Sequence, residues 1–171
     1  MDTYMVVLRI LHIVAGIFWV GAALTTILFL QPTAREVGPA AGPFMAHLAG
    51  KKRLVDWVLA AATLTILAGV LLFWRVTDGL DPDLVGTAYG LSLTVASLSA
   101  IVAYSLGLSI VRPTILETLA IGREVAAGGG TPTPEQGARL QALQARSKQA
   151  GRTIVPLLVV AAAGMAAARY L

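Results

Sequence analysis

The 171-residue chain has no cysteine, so disulfides, thiolate metal ligands and thiol nucleophiles are excluded together. Histidine is almost as scarce: His12 and His47 are the only two. Charge is thin, at 13% of residues against the roughly 25% usual in soluble domains. No Walker loop, Ser-His-Asp arrangement or clustered metal-ligand spacing occurs. Met1, Met5, Met45 and Met165 form no Met-x-x-Met pattern, which leaves copper traffic poorly supported, because soft sulfur clusters select that metal.

What is present is apolar, at 57% of residues. Four charge-free runs stand out: Ile10–Leu30, Trp57–Trp74, Leu84–Val111 and Thr153–Ala168. A helix crosses the hydrocarbon with roughly 20 apolar residues, within a range of about 17–25. The last run is short, but Arg169 can snorkel outward and lengthen it. The pattern predicts an all-α integral membrane four-helix bundle as a single domain. Its spans fall at about 5–30, 54–75, 84–111 and 153–171, with a cytoplasmic helical loop over 113–152. Met1-Asp2-Thr3 lacks the basic start of a cleaved leader, so the first span is expected to be retained.

Net charge is +4, yet the cations flank the spans, where anionic lipid rather than nucleic acid is the expected partner. Arg35, Lys51, Lys52 and Arg53 lie between spans one and two. Arg112, Arg123, Arg139, Arg146, Lys148 and Arg152 lie between spans three and four. Only Arg9, Arg75 and Arg169 fall on the other side, beside Asp78, Asp81 and Asp83. The positive-inside rule then predicts both basic loops in the cytoplasm and both termini outside; the expected location is a bacterial-type inner (plasma) membrane.

Two span exits look alike. Gln31-Pro32-Thr33-Ala34-Arg35-Glu36 and Arg112-Pro113-Thr114-Ile115-Leu116-Glu117 both read x-P-T-x-x-E. Proline is expected to stop or kink each outgoing helix, and the Thr/Glu spacing to cap a new one. Spans two and four each contain Ala-Gly (Ala68-Gly69, Ala163-Gly164), consistent with two parallel two-helix repeats; chance convergence explains it equally well. After Gly128-Gly129-Gly130, Thr133, Pro134 and Gln136 match an N-cap, first helical position and capping glutamine. The helix they start either lies on the inner membrane surface or extends span four.

Ionisable residues inside a span are functional candidates by default, because burying them in hydrocarbon is costly. Met5, Arg9, His12, Gly16, Trp19, Ala23 and Thr26 share one face of span one, which is predicted to face inward. His12 has two readings. The bland one is a buried histidine bonded to a hydroxyl of span three, such as Ser97 or Tyr104. The functional one is an axial ligand of haem iron. In that case Gly16 would admit the flat macrocycle and Arg9 would meet a propionate. Met165, at similar depth, could be a second ligand, although ordinary packing is the commoner role. Asp56 sits beside Lys52 and Arg53, which makes a local ion pair its plain explanation.

The stretch Leu11-His12-Ile13-Val14-Ala15-Gly16-Ile17-Phe18-Trp19-Val20-Gly21 carries Leu-His-x6-Trp-x-Gly at the start of a first span. This resembles a superfamily of small membrane proteins that includes the copper-resistance protein D (CopD) family, the haem-containing protoporphyrinogen oxidase family and many uncharacterised four-span members. The likeness covers about Leu11 to Gln31 and is nearest to the uncharacterised members. It implies a haem b ligand at His12. The oxidases pair that histidine with a lysine in a later span, whereas Lys51, Lys52 and Lys148 all lie in loops, so protoporphyrinogen oxidation is not expected.

The leading expectation is a haem b-binding or redox-associated protein, with His12 as the iron ligand and Arg9, Gly16, Trp19 and Met165 around the cofactor. A non-catalytic scaffold or accessory subunit is the alternative, packing through Gly16, Gly21, Gly69, Gly90, Gly107 and Gly164. A copper or small-solute transport component ranks last. A homodimer or larger membrane complex would be the partner, and a second copy could supply a missing ligand.

Overall fold

Four long helices make up the architecture of residues 3–171, the part of the chain that the computed structural model describes; no strand occurs among them. Met1 and Asp2, on which the reading of a retained first span rested, lie outside the described residues. The helices are α1 (Thr3–Val37), α2 (Leu54–Val76), α3 (Ala88–Ala127) and α4 (Pro134–Tyr170), and each holds a window apolar enough to cross a bilayer. At 1.5 Å per residue, the 23-residue α2 spans about 35 Å, close to the roughly 30 Å of hydrocarbon. The other three have 35, 40 and 37 residues and overshoot it. Their excess falls mainly at the end that carries Arg35, Arg112 and Arg152.

The outside of the bundle is apolar. Val14, Ile17, Phe29 and Trp57 are each more than 60% exposed. A continuous surface of this kind aggregates in water but is matched by lipid tails. Its interior is built from small residues, including Ala62, Ala68, Ala96, Ala100, Ala103 and Ala161. With lipid outside, helices gain by close approach rather than by hiding grease, and alanine and glycine permit it. A Cβ on Gly164 would stand 3.0 Å from that of Ala96, and the Ser92 hydroxyl donates to the Gly164 carbonyl at 3.0 Å. The fold is a multi-pass α-helical membrane bundle.

The helices associate as two tight pairs, α1 with α2 and α3 with α4, while α2 and α3 meet sparingly. Trp19 of α1 is buried and crosses to α3, where its ring meets Tyr104 edge-on with centroids 6.4 Å apart. The Thr63 hydroxyl donates to the Leu59 carbonyl, so Tyr104 donates its phenolic proton to Thr63 across 2.9 Å.

Two sequence expectations need correction. Pro32 and Pro113 end neither helix, and Thr33 and Thr114 cap nothing. Each proline follows a five-residue π segment, Thr26–Leu30 or Gly107–Val111, in which Gln31 N–H reaches Thr26 and Arg112 N–H reaches Gly107. The wider turn takes up the missing donor and keeps the proline ring clear of the carbonyl it would strike in an α-helix, so the chain stays helical. The third span begins at Ala88, not 84, because Pro82–Val85 is a separate short helix opened by Asp81. Thr87 then caps α3 by accepting from Gly90 N–H. Of the two readings of the helix after Thr133, the extension of span four holds: residues 113–152 are the long ends of α3 and α4, joined by the turn at 128–133. The capping box is present as read: Thr133 accepts from Gln136 N–H at 3.2 Å and Gln136 from Thr133 N–H at 3.0 Å. Glu117 pairs with Arg139 across this hairpin, and Leu143 is buried inside it.

Candidate functional site

The weak seam between α2 and α3 leaves a cavity of about 260 Å³ in the half of the bundle nearest the acidic turn. His12 lines it from α1, Thr65, Gly69 and Phe73 from α2, Thr94 and Ser97 from α3, and Met165 from α4. Its wall is almost wholly apolar. It opens sideways, since Val70, Trp74 and Leu98 both line it and are more than half exposed on the lipid face.

His12 is held in one tautomer. Its Nδ1 lies 2.9 Å from the Thr65 carbonyl oxygen. A carbonyl only accepts, so Nδ1 carries the proton, and in the neutral ring Nε2 keeps its lone pair. That carbonyl sits inside a helix and is reachable because of Gly69. In an α-helix each Cβ leans toward the N-terminus, so the side chain at position 69 would cover the carbonyl of residue 65. Glycine leaves it open. A Cβ there would stand 2.9 Å from His12 Cε1 and 3.1 Å from Nδ1, so the imidazole rests on bare backbone. Thr65 turns its own hydroxyl away, donating to the Ala61 carbonyl at 2.8 Å. Among the described residues, Nε2 has no hydrogen-bond partner.

The residues singled out in the sequence separate here. His12 and Met165 line the same cavity, as their similar depth suggested. Gly16 lies elsewhere: a Cβ on it would meet the Thr65 methyl at 3.5 Å, so its space is filled by α2. Trp19 sits in the core against Tyr104, and Arg9 is exposed. The hydroxyls of span three do not hold His12; the partner is a backbone carbonyl of span two. His47 is exposed in a π segment at the basic end, far along the bundle from His12. Asp56 pairs with Arg53 at 3.0 Å and also with Arg112 at 3.8 Å, tying α2 to α3. Sequence reasoning missed Thr65 and Gly69 as partners of His12. One signal was available: Gly69 lies seven residues before the end of α2 and His12 nine after the start of α1, so antiparallel packing sets them level.

The donor set suits a haem iron. An imidazole whose Nδ1–H is anchored by a carbonyl presents Nε2 in a fixed direction, and a thioether shares the cavity. The volume is below the about 300–1,000 Å³ of clefts that enclose drug-sized ligands. A macrocycle on His12 would therefore share the lateral opening with lipid. Among the described residues no three His, Asp or Glu side chains gather as a metal-holding group.

The fold and cavity define a class: a four-span helical membrane protein with one histidine facing a laterally open apolar chamber. Comparison with family models, curated proteins and solved structures found no match.

Proposed function

We propose that this chain is a haem b-binding protein of a bacterial-type inner membrane, with His12 Nε2 as the iron ligand. The observation that carries this reading is the Nδ1–H bond to the Thr65 carbonyl, which leaves Nε2 without a partner among the described residues at the cavity wall. The sequence resemblance around Leu11–Gln31 supports it further. When bound, haem supplies one-electron chemistry at its iron. The chain's own work is to orient and to exclude water. Thr65 fixes the ring, Gly69 lets it lie flat, and the apolar wall keeps the surroundings dry. Met165 is the only sulfur among the residues lining this cavity. The test is an absorption spectrum of the detergent-purified protein, oxidised and then dithionite-reduced. A Soret band that sharpens on reduction and is lost in His12→Ala is expected. A colourless protein from haem-replete cells overturns the proposal.

The cavity volume favours a second reading, in which the ligand is a lipid-soluble molecule smaller than a macrocycle whose one O–H donor meets Nε2. A quinol ring has that chemistry. A colourless protein that retains a small apolar molecule, released by His12→Ala, would support it.

A further inference from the structure

A second groove, of about 310 Å³, lies at the opposite end of the bundle, between α1 and α4. Arg35 lines it from α1, and Lys148 and Arg152 from α4. Three other cations at this end have carboxylates: Arg53 and Arg112 share Asp56, and Arg139 has Glu117. Among the described residues, Arg35, Lys148 and Arg152 have none, and no acidic residue lines the groove. Gln31 adds to the positive character. Its carbonyl oxygen accepts from Arg35 at 3.5 Å and from Ser147 at 3.3 Å, which leaves its amide N–H groups as further donors.

The lower half of the groove is apolar. Ile27, Leu28 and Val155 belong to the charge-free runs, while the three cations stand just beyond Leu30 or just before Thr153, where those runs end. The charges therefore sit at headgroup depth, with hydrocarbon depth beneath them. The floor is built in: Gly151 has no side chain, and a Cβ there would stand 2.8 Å from an Ile27 methyl carbon. Pro156, inside α4, also lines this wall.

We propose that this groove is a binding site for one anionic phospholipid of the inner leaflet, its phosphate held by Arg35, Lys148 and Arg152 and an acyl chain against Ile27, Leu28 and Val155. A free phosphate shares the charge but makes no use of the apolar half. The site is independent of His12 and of any haem.

Titration of the detergent-solubilised full chain with phosphatidylglycerol, read by native mass spectrometry, tests it. Near a membrane each cation is worth about a factor of five, so Arg35→Gln/Lys148→Gln/Arg152→Gln should lower affinity on the order of 100-fold. Lys51→Gln/Lys52→Gln/Arg123→Gln removes the same charge elsewhere and should stay within about threefold of wild type, since a distant charge acts only through a screened surface potential. Equal losses in the two variants would reduce the effect to surface potential and overturn the proposal. Inorganic phosphate that displaces the lipid at equal concentration would assign the site to the free anion and overturn the lipid. Thermal unfolding of both variants in phosphatidylcholine shows whether either has lost its fold, and a double variant retaining Arg35 replaces the triple if it has.

Discussion

Gly69 is the residue on which the candidate site turns. Its missing side chain uncovers the Thr65 carbonyl and gives the imidazole a surface to lie on. Gly69→Ala places a methyl carbon 2.9 Å from His12 Cε1, a distance real contacts do not keep, so the ring must move and the Nδ1–H bond must lengthen or break. Alanine is also the better helix former by about 1 kcal/mol, so α2 itself should not suffer. With haem bound as proposed, the expected outcome is a protein of unchanged helicity and membrane yield in which the Soret band is weakened or shifted, seen in spectra beside His12→Ala. An unchanged band would mean that the Thr65 bond does not matter to Nε2. His12 and Met165 were legible as candidates because polar or sulfur groups stand out in apolar spans. Arg9, Gly16 and Trp19 were gathered with them by helical periodicity, which reports a shared face but not which neighbour that face meets. Here one face meets α2 at Gly16 and α3 at Trp19.

Helix boundaries were read well where capping chemistry sets them and poorly where the backbone had an alternative. Thr133, Pro134 and Gln136 form the box their spacing announces. Thr133→Ala removes one acceptor for an orphan N–H and should cost about 1 kcal/mol locally. Hydrogen exchange is the suitable probe, with faster exchange expected over residues 134–140 and none of it spreading to α2. At Pro32 and Pro113 the same logic failed, since a π segment can carry a helix through a proline and nothing in x-P-T-x-x-E distinguishes that from a stop. The recurrence of the motif still corresponds to a recurrence of structure, because both copies have a π segment immediately before the motif. The second Ala-Gly likewise parallels the first. Gly69 meets α1 and Gly164 meets α3, each inside its own tight pair. The pairing of α1 with α2 and α3 with α4 matches the two-helix units that the recurrences offered as one of two explanations, whereas the open α2–α3 seam had no signal, because Leu-rich faces give no sign of which neighbour they prefer.

At the scale of the molecule the sidedness of the bundle decides what each end can meet. Ten Lys and Arg lie in the two loops at one end and three at the other, the asymmetry on which the proposed orientation rests. The hairpin formed by the ends of α3 and α4, the groove at Arg35 and Arg152, and the Asp56 ion pairs all belong to the basic end. The His12 cavity belongs to the other end, under the turn that bears Asp78, Asp81 and Asp83. With the basic end cytoplasmic, a ligand in the cavity would sit nearer the outer surface, and lipid bound in the groove would come from the inner leaflet. The absence of cysteine makes this directly measurable, because any thiol introduced is the only one. Asp83→Cys, Thr131→Cys and Tyr170→Cys place it on exposed residues at the outer turn, the hairpin tip and the C-terminal end of α4. A membrane-impermeant maleimide should label Asp83→Cys and Tyr170→Cys in intact cells, and Thr131→Cys only after permeabilisation. The reverse pattern would turn the bundle over, placing the His12 cavity near the cytoplasm and the basic groove outside. The inner-leaflet lipid proposed for that groove would then be ruled out on geometry alone.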